Sequence, residues 1–101
     1  MSVTSSRVVA LLTRVTGTGP GDWIANNADT VRSIQAKAVG TGADLNVSIQ
    51  GSFDQIAIVG LGTLHPIEAT DDGITIQCAY DWIRANVTTA TSGAVTVVVG
   101  G

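Results

Sequence analysis

The sequence predicts an all-β fold: an antiparallel β-sandwich, jelly-roll or immunoglobulin-like, built from six to eight short strands. Three observations predict it. Val and Thr occur 13 times each, and branching at Cβ suits both to a pleated strand. Gly occurs 12 times, which fits a fold with many tight turns better than a helical bundle. Finally, apolar and polar residues alternate in short runs, and these runs are separated by turn residues every 8–12 positions or so. Helix-forming side chains are scarce, with Glu68 the one Glu and Lys37 the one Lys.

The elements follow in order. Arg7–Thr16 is apolar and β-branched and stops at Gly17-Thr18-Gly19-Pro20-Gly21, a first strand and a loop. Asp22-Trp23-Ile24 gives way to a polar turn over Ala25–Asp29. Along Thr30–Val39, Ile34, Ala36 and Ala38 share one parity, and Ser33, Gln35 and Lys37 the other, as in a half-buried strand. Gly40-Thr41-Gly42 reads as a turn. Beyond it, Leu45, Val47 and Ile49 alternate with Asn46, Ser48 and Gln50, and Gly51–Asp54 closes that strand. Gln55–Leu61 is the next expected strand. His65–Ala69 is expected as an extended edge, because Pro66 has no amide to give a ladder. Asp71-Asp72-Gly73 reads as a turn. In the run Ile74–Thr88, Ile74, Ile76, Cys78 and Tyr80 hold one parity, and Ile83, Ala85 and Val87 the other, so a bulge or corner is expected near Asp81-Trp82. Thr91-Ser92-Gly93 reads as a turn and Ala94–Val99 as a last strand.

At 101 residues the chain has the size of one domain, spanning 1–101, with a modest core and little room for a deep substrate cavity. The formal net charge is −3, and Arg7, Arg14, Arg32, Lys37 and Arg84 are scattered. A nucleic-acid partner needs clustered cations and an anionic membrane needs a basic patch, so neither is expected. No stretch approaches the roughly 20 apolar residues of a membrane helix, and no secretory leader is read from the first residues. Low charge at positive hydropathy suits a surface that spends its life covered by neighbours.

Nothing in the sequence assembles catalysis. Cys78 stands alone and reads as a small buried hydrophobe. His65, Glu68, Asp71 and Asp72 lie close together, but their spacing matches no metal-wrapping loop; they read as a solvated turn. The Gly17–Gly21 segment lacks the Lys and following helix of a phosphate cradle. Asn46-Val47-Ser48 and Asn86-Val87-Thr88 match the glycosylation pattern by chance, within strands. No enzymatic activity, cofactor or metal is expected.

Three segments, VRSIQAKAVGTG (Val31–Gly42), LNVSIQGS (Leu45–Ser52) and YDWIRANVTTATSG (Tyr80–Gly93), together resemble small bacteriophage virion accessory proteins of the capsid decoration, or cement, type. In that pattern a strand ends in a glycine turn. An alternating V-x-I-x-G-S run follows, and the chain closes with an aromatic-x-aromatic-I-R-x-N-V-T hairpin. The resemblance implies a structural role on the capsid surface of a virion, with the protein made in the host cytoplasm. The implied partners are the major capsid protein and further copies of the chain, in a dimer or trimer; no catalytic residue is carried over. Trp23, beside glycine-rich loop residues, is the expected aromatic anchor. Val3, Val97, Val98 and Val99 are the expected docking segments, as apolar termini able to add strands to a neighbour. The second reading is a carbohydrate-binding tail or fibre module that stacks sugars on Trp23 and on Tyr80 or Trp82.

Overall fold

β-Branched residues and glycine-relieved bends build a fold dominated by two long strands. The computed structural model describes residues 8–26 and 30–100. Its strands are β1 (Val9–Val15), β2 (Gly19–Pro20), β3 (Ile24–Ala25), β4 (Thr30–Ser52), β5 (Val59–Leu64), β6 (Asp72–Cys78) and β7 (Trp82–Gly100). No described residue is helical, and every strand pair is antiparallel. The all-β antiparallel sandwich is therefore the observed architecture.

β4 and β7 pair along almost their whole lengths, from Ser33 opposite Gly100 to Ser52 opposite Trp82. This ribbon is folded across its middle, so each long strand serves both layers. In the first layer the order is β1, the C-terminal part of β7, the N-terminal part of β4, then β6. In the second layer β2 and β3 flank the N-terminal part of β7, followed by the C-terminal part of β4 and then β5. The Cα envelope measures 42 × 37 × 17 Å, the thickness of two sheets packed about 10 Å apart.

The core lies between the layers. Ile34, Ala36, Ala38, Val95, Val97 and Val99 from the first pack with Leu45, Val47, Ile49, Ile83, Ala85 and Val87 from the second. Inward residues of β4 are even-numbered before the fold line and odd-numbered after it. The ladder slips between Val39 and Asp44, and that slip moves the inward set to the other parity.

The fold line corrects two expectations. Gly40-Thr41-Gly42 and Thr91-Ser92-Gly93 are bends inside continuous strands, not turns between short ones. Gly40, Gly42 and Gly93 all take positive φ, and the Cβ position of Gly40 lies 3.2 Å from Gly93 Cα. The two strands thus cross the fold line at glycines that face each other closely.

Three more boundaries differ from the sequence reading. Gln55–Leu61 is not one strand: β5 begins at Val59 and the preceding residues form a loop. Pro66 is fully buried and its carbonyl accepts a hydrogen bond from Leu45 N at 3.2 Å, so it closes the core instead of lining an open edge. Asp72-Gly73 already belongs to β6; the chain reverses just before it, where Ile67 and Thr70 exchange backbone hydrogen bonds and Ala69 has φ 62°. The Ile74–Thr88 run does break where parity predicts, between Cys78 and Trp82.

Asn26 holds that corner. Its Nδ2 donates to Cys78 O (3.1 Å) and Tyr80 O (2.9 Å), and its amide donates to Asp81 O (2.7 Å). Its Oδ1 accepts from Arg32 Nε at 2.7 Å. A buried amide side chain thereby satisfies the carbonyls that a sharp strand-to-strand corner leaves unpaired.

Candidate interaction surfaces

Two surfaces stand out once the core is accounted for. The first is the loop between β4 and β5. Ser52 ends β4 with its side chain buried. Its Oγ accepts from Asp54 N (3.2 Å) and Gln55 N (2.8 Å), and donates to Asp54 Oδ1 (3.1 Å). Asp54 Oδ1 also accepts from Ile56 N and Ala57 N, each at 2.9 Å. Those two backbone hydrogen bonds are the main reason the Asp54 carboxyl is held below its ordinary pKa. Gln55, at φ 66°, completes the tight path.

Because the polar atoms of this loop bond one another, its apolar side chains are left pointing outward. Phe53 is 61% exposed, Ile56 81%, Ile58 46% and Val59 39%. One side of Phe53 is braced by Tyr80, with ring centroids 4.8 Å apart and planes tilted by 50°. A loop that is both ordered and apolar on its outside is a candidate interaction surface.

The second surface is the outward face of the second layer. Ile83, Ala85 and Val87 point inward, so Trp82, Arg84 and Asn86 point outward. The ladder sets Gln50 opposite Arg84 and Ser48 opposite Asn86. Trp23 immediately precedes β3, whose Ile24 and Ala25 pair with Ile83 and Trp82, and this brings Trp23 beside Arg84. The Arg84 guanidinium carbon sits 4.3 Å from the centre of the Trp23 ring, and Arg84 Nε donates to Gln50 Oε1 at 2.8 Å.

The expected docking residues fall differently. Val3 lies outside the described residues. Trp23 is half-buried and stacks on Arg84, so one face of its ring is covered by its own chain. Val97 and Val99 are core residues, 0% and 3% exposed, in a strand paired on both sides. This corrects their reading as a docking tail: β7 has no free edge there and both side chains point inward. Val98 is half-buried on the outer face of the first layer. Trp82 shares a face with Trp23, whereas Tyr80 lies over Gly51 and against Phe53 on the other side of the sheet.

Sequence reasoning missed the 53–59 loop because the apolar run Gln55–Leu61 read as the next strand. The available signal was Ser52-x-Asp54, a pair able to capture the following amides. Among the acidic and histidine side chains near the 65–72 turn, His65 Nε2 lies 2.6 Å from Asp44 Oδ1 on the surface. Glu68 accepts from Gly42 N and Asp72 from His65 N. Among the described residues, no three such groups gather as a metal site. Cys78 is buried, as its isolation predicted.

A scan of protein-family models finds none that matches the sequence, and comparison with curated proteins finds no significant match. The fold does match solved structures. It is similar to the SPBc2 prophage-derived protein YomS, at a TM-score of 0.69 and 9% identity over 99% of this chain and 96% of that one. It is also similar to a protein from Sulfurospirillum deleyianum, at a TM-score of 0.53 and 7% identity over 95% of this chain and 98% of that one. At these identities the likeness is one of fold.

Proposed function

We propose that this protein is a structural component of a bacteriophage particle, a capsid decoration protein that docks on shell subunits through the 53–59 loop and performs no chemistry. The loop carries the reading. Four outward apolar side chains on a hydrogen-bonded frame offer buried area with little ordering cost at the moment of binding. The few charged side chains add little, since the His65–Asp44 pair is exposed on both sides and such pairs are worth roughly 0–1 kcal/mol. The resemblance of three sequence segments to small virion proteins supports the phage assignment, as does a fold shared with a prophage-derived protein. The major capsid protein is the proposed partner, with self-association into dimers or trimers, and the capsid surface is the proposed location.

The test is the copy number per purified particle, measured by quantitative mass spectrometry. Hundreds of copies agree with a shell protein. About a dozen or fewer point to a connector or tail part, in keeping with the cyclic symmetry of such rings, and absence from the particle ends the proposal.

A further inference from the structure

We infer that the outward face of the second layer binds a carboxylate-bearing saccharide, with Arg84 holding the carboxylate. Two contacts fix the guanidinium: its face rests on Trp23 and its Nε is engaged by Gln50. Its two terminal nitrogens have no hydrogen-bond partner among the described residues, and no carboxylate of those residues pairs with it. The chain has eight acidic against five basic side chains. An arginine that is held in place yet kept off every one of the described acids offers a preset pair of donors, the geometry that a carboxylate accepts bidentately. The cation–π contact keeps the plane oriented without consuming those donors.

The surroundings select a sugar acid over other anions. Trp82 lies two residues from Arg84 on the same face, about 7 Å along the strand. Gln50, Ser48 and Asn86 add short polar groups beside it. Indole rings meet the C–H faces of a pyranose, and amide and hydroxyl side chains meet its ring hydroxyls. The site sits over β4 and β7, central strands whose backbone groups are used in the ladder. At Arg84 a peptide therefore has no edge to extend; the edge beside Trp23 is the two-residue β3, too short for an added strand. A nucleic acid would need several clustered cations, whereas one carboxylate needs one guanidinium.

The experiment titrates the unaltered full chain with tetragalacturonate and with its fully methyl-esterified form, reading tryptophan fluorescence and the indole N–H resonances of Trp23 and Trp82. The acid form should bind and shift both indoles, and the ester should bind at least about tenfold more weakly. Arg84→Gln should lose the same factor, and Arg84→Lys should recover only part of it, because an ammonium cannot fork onto both oxygens. Glucuronate and mannuronate tetrasaccharides extend the panel. No binding by any of the three acids at about 10 mM, weaker than millimolar affinities, overturns the inference, as does equal binding of acid and ester. Displacement of the saccharide by hexaglutamate at equal concentration also overturns it, in favour of an acidic protein. If Arg84→Gln fails to fold, the acid–ester comparison on the unaltered chain still decides. The 53–59 loop lies elsewhere and is read out on particles, so either proposal can fail without the other.

Discussion

At the scale of single residues, Asn26 and Asp54 do more than their positions in sequence announce. Asn26 spends both ends of its amide on the β6–β7 corner and on Arg32. Asn26→Ala leaves two carbonyls and one guanidinium without that partner, and should lower unfolding stability by about 2 kcal/mol in urea titration. A loss within error would mean that water replaces the amide. Asp54 acts through its charge. Its ionised form accepts the Ile56 and Ala57 amides, so its pKa in the folded chain lies below the unfolded value. The carboxylate's contribution to loop order is then fully present above the usual carboxylate range and is lost as pH falls through the folded value. Protection of the Ile56 and Ala57 amides from exchange should hold from neutral pH to about pH 4 and fall only below it. Asp54→Asn should loosen both amides at every pH. Protection that is flat with pH and unchanged in Asp54→Asn would show that the carboxylate does not order the loop.

At the scale of elements, the folded ribbon is the feature to explain. Gly93 has φ 85°, and a Cβ there would meet Ala43 Cβ at 2.5 Å and Val39 O at 2.7 Å. Gly93→Ala should cost roughly 3 kcal/mol or prevent folding. Gly17, with open space around it, should accept Ala with little change in thermal midpoint. Inward and outward parity gives a second test. Ile34→Asp and Val47→Asp bury an unpaired charge and should abolish soluble folding, whereas Gln35→Asp and Ser48→Asp should be tolerated. Equal tolerance at both parities would contradict the register.

This is also where the sequence was readable and where it was not. The alternation at Ile34–Ala38, Leu45–Ile49 and Ile83–Val87 marked three inward faces correctly, because a two-residue period needs no partner to be seen. Glycine at 40, 42 and 93 announced a change of direction, but not whether the strand ended or bent. That depends on a partner strand bending at the same point. Val97 and Val99 were misplaced for the same reason: an apolar terminal run reads alike as free edge or central strand until its neighbours are known. The pairing of Trp23 with Arg84 joins residues 61 positions apart and leaves no local mark. The 53–59 loop was hidden by resembling a strand.

At the scale of the whole molecule, the two proposed surfaces lie apart. A sheet face presents Arg84 on Trp23, and the loop from one end of β4 presents Phe53, Ile56 and Ile58, with Val59 at the start of β5. The proposed docking through the loop is apolar, so it should survive salt: washing particles in about 1 M NaCl, where the screening length is near 3 Å, should leave the protein bound. The most direct test of the proposed role is occupancy on purified phage particles, comparing the unaltered chain with an Ile56→Asp, Ile58→Asp double variant. Both positions are exposed, so the variant should keep the far-ultraviolet β spectrum of the parent. It should also lose at least about tenfold in copies per particle, since each charge must be desolvated at the interface. A folded variant that remains at full occupancy would contradict the account.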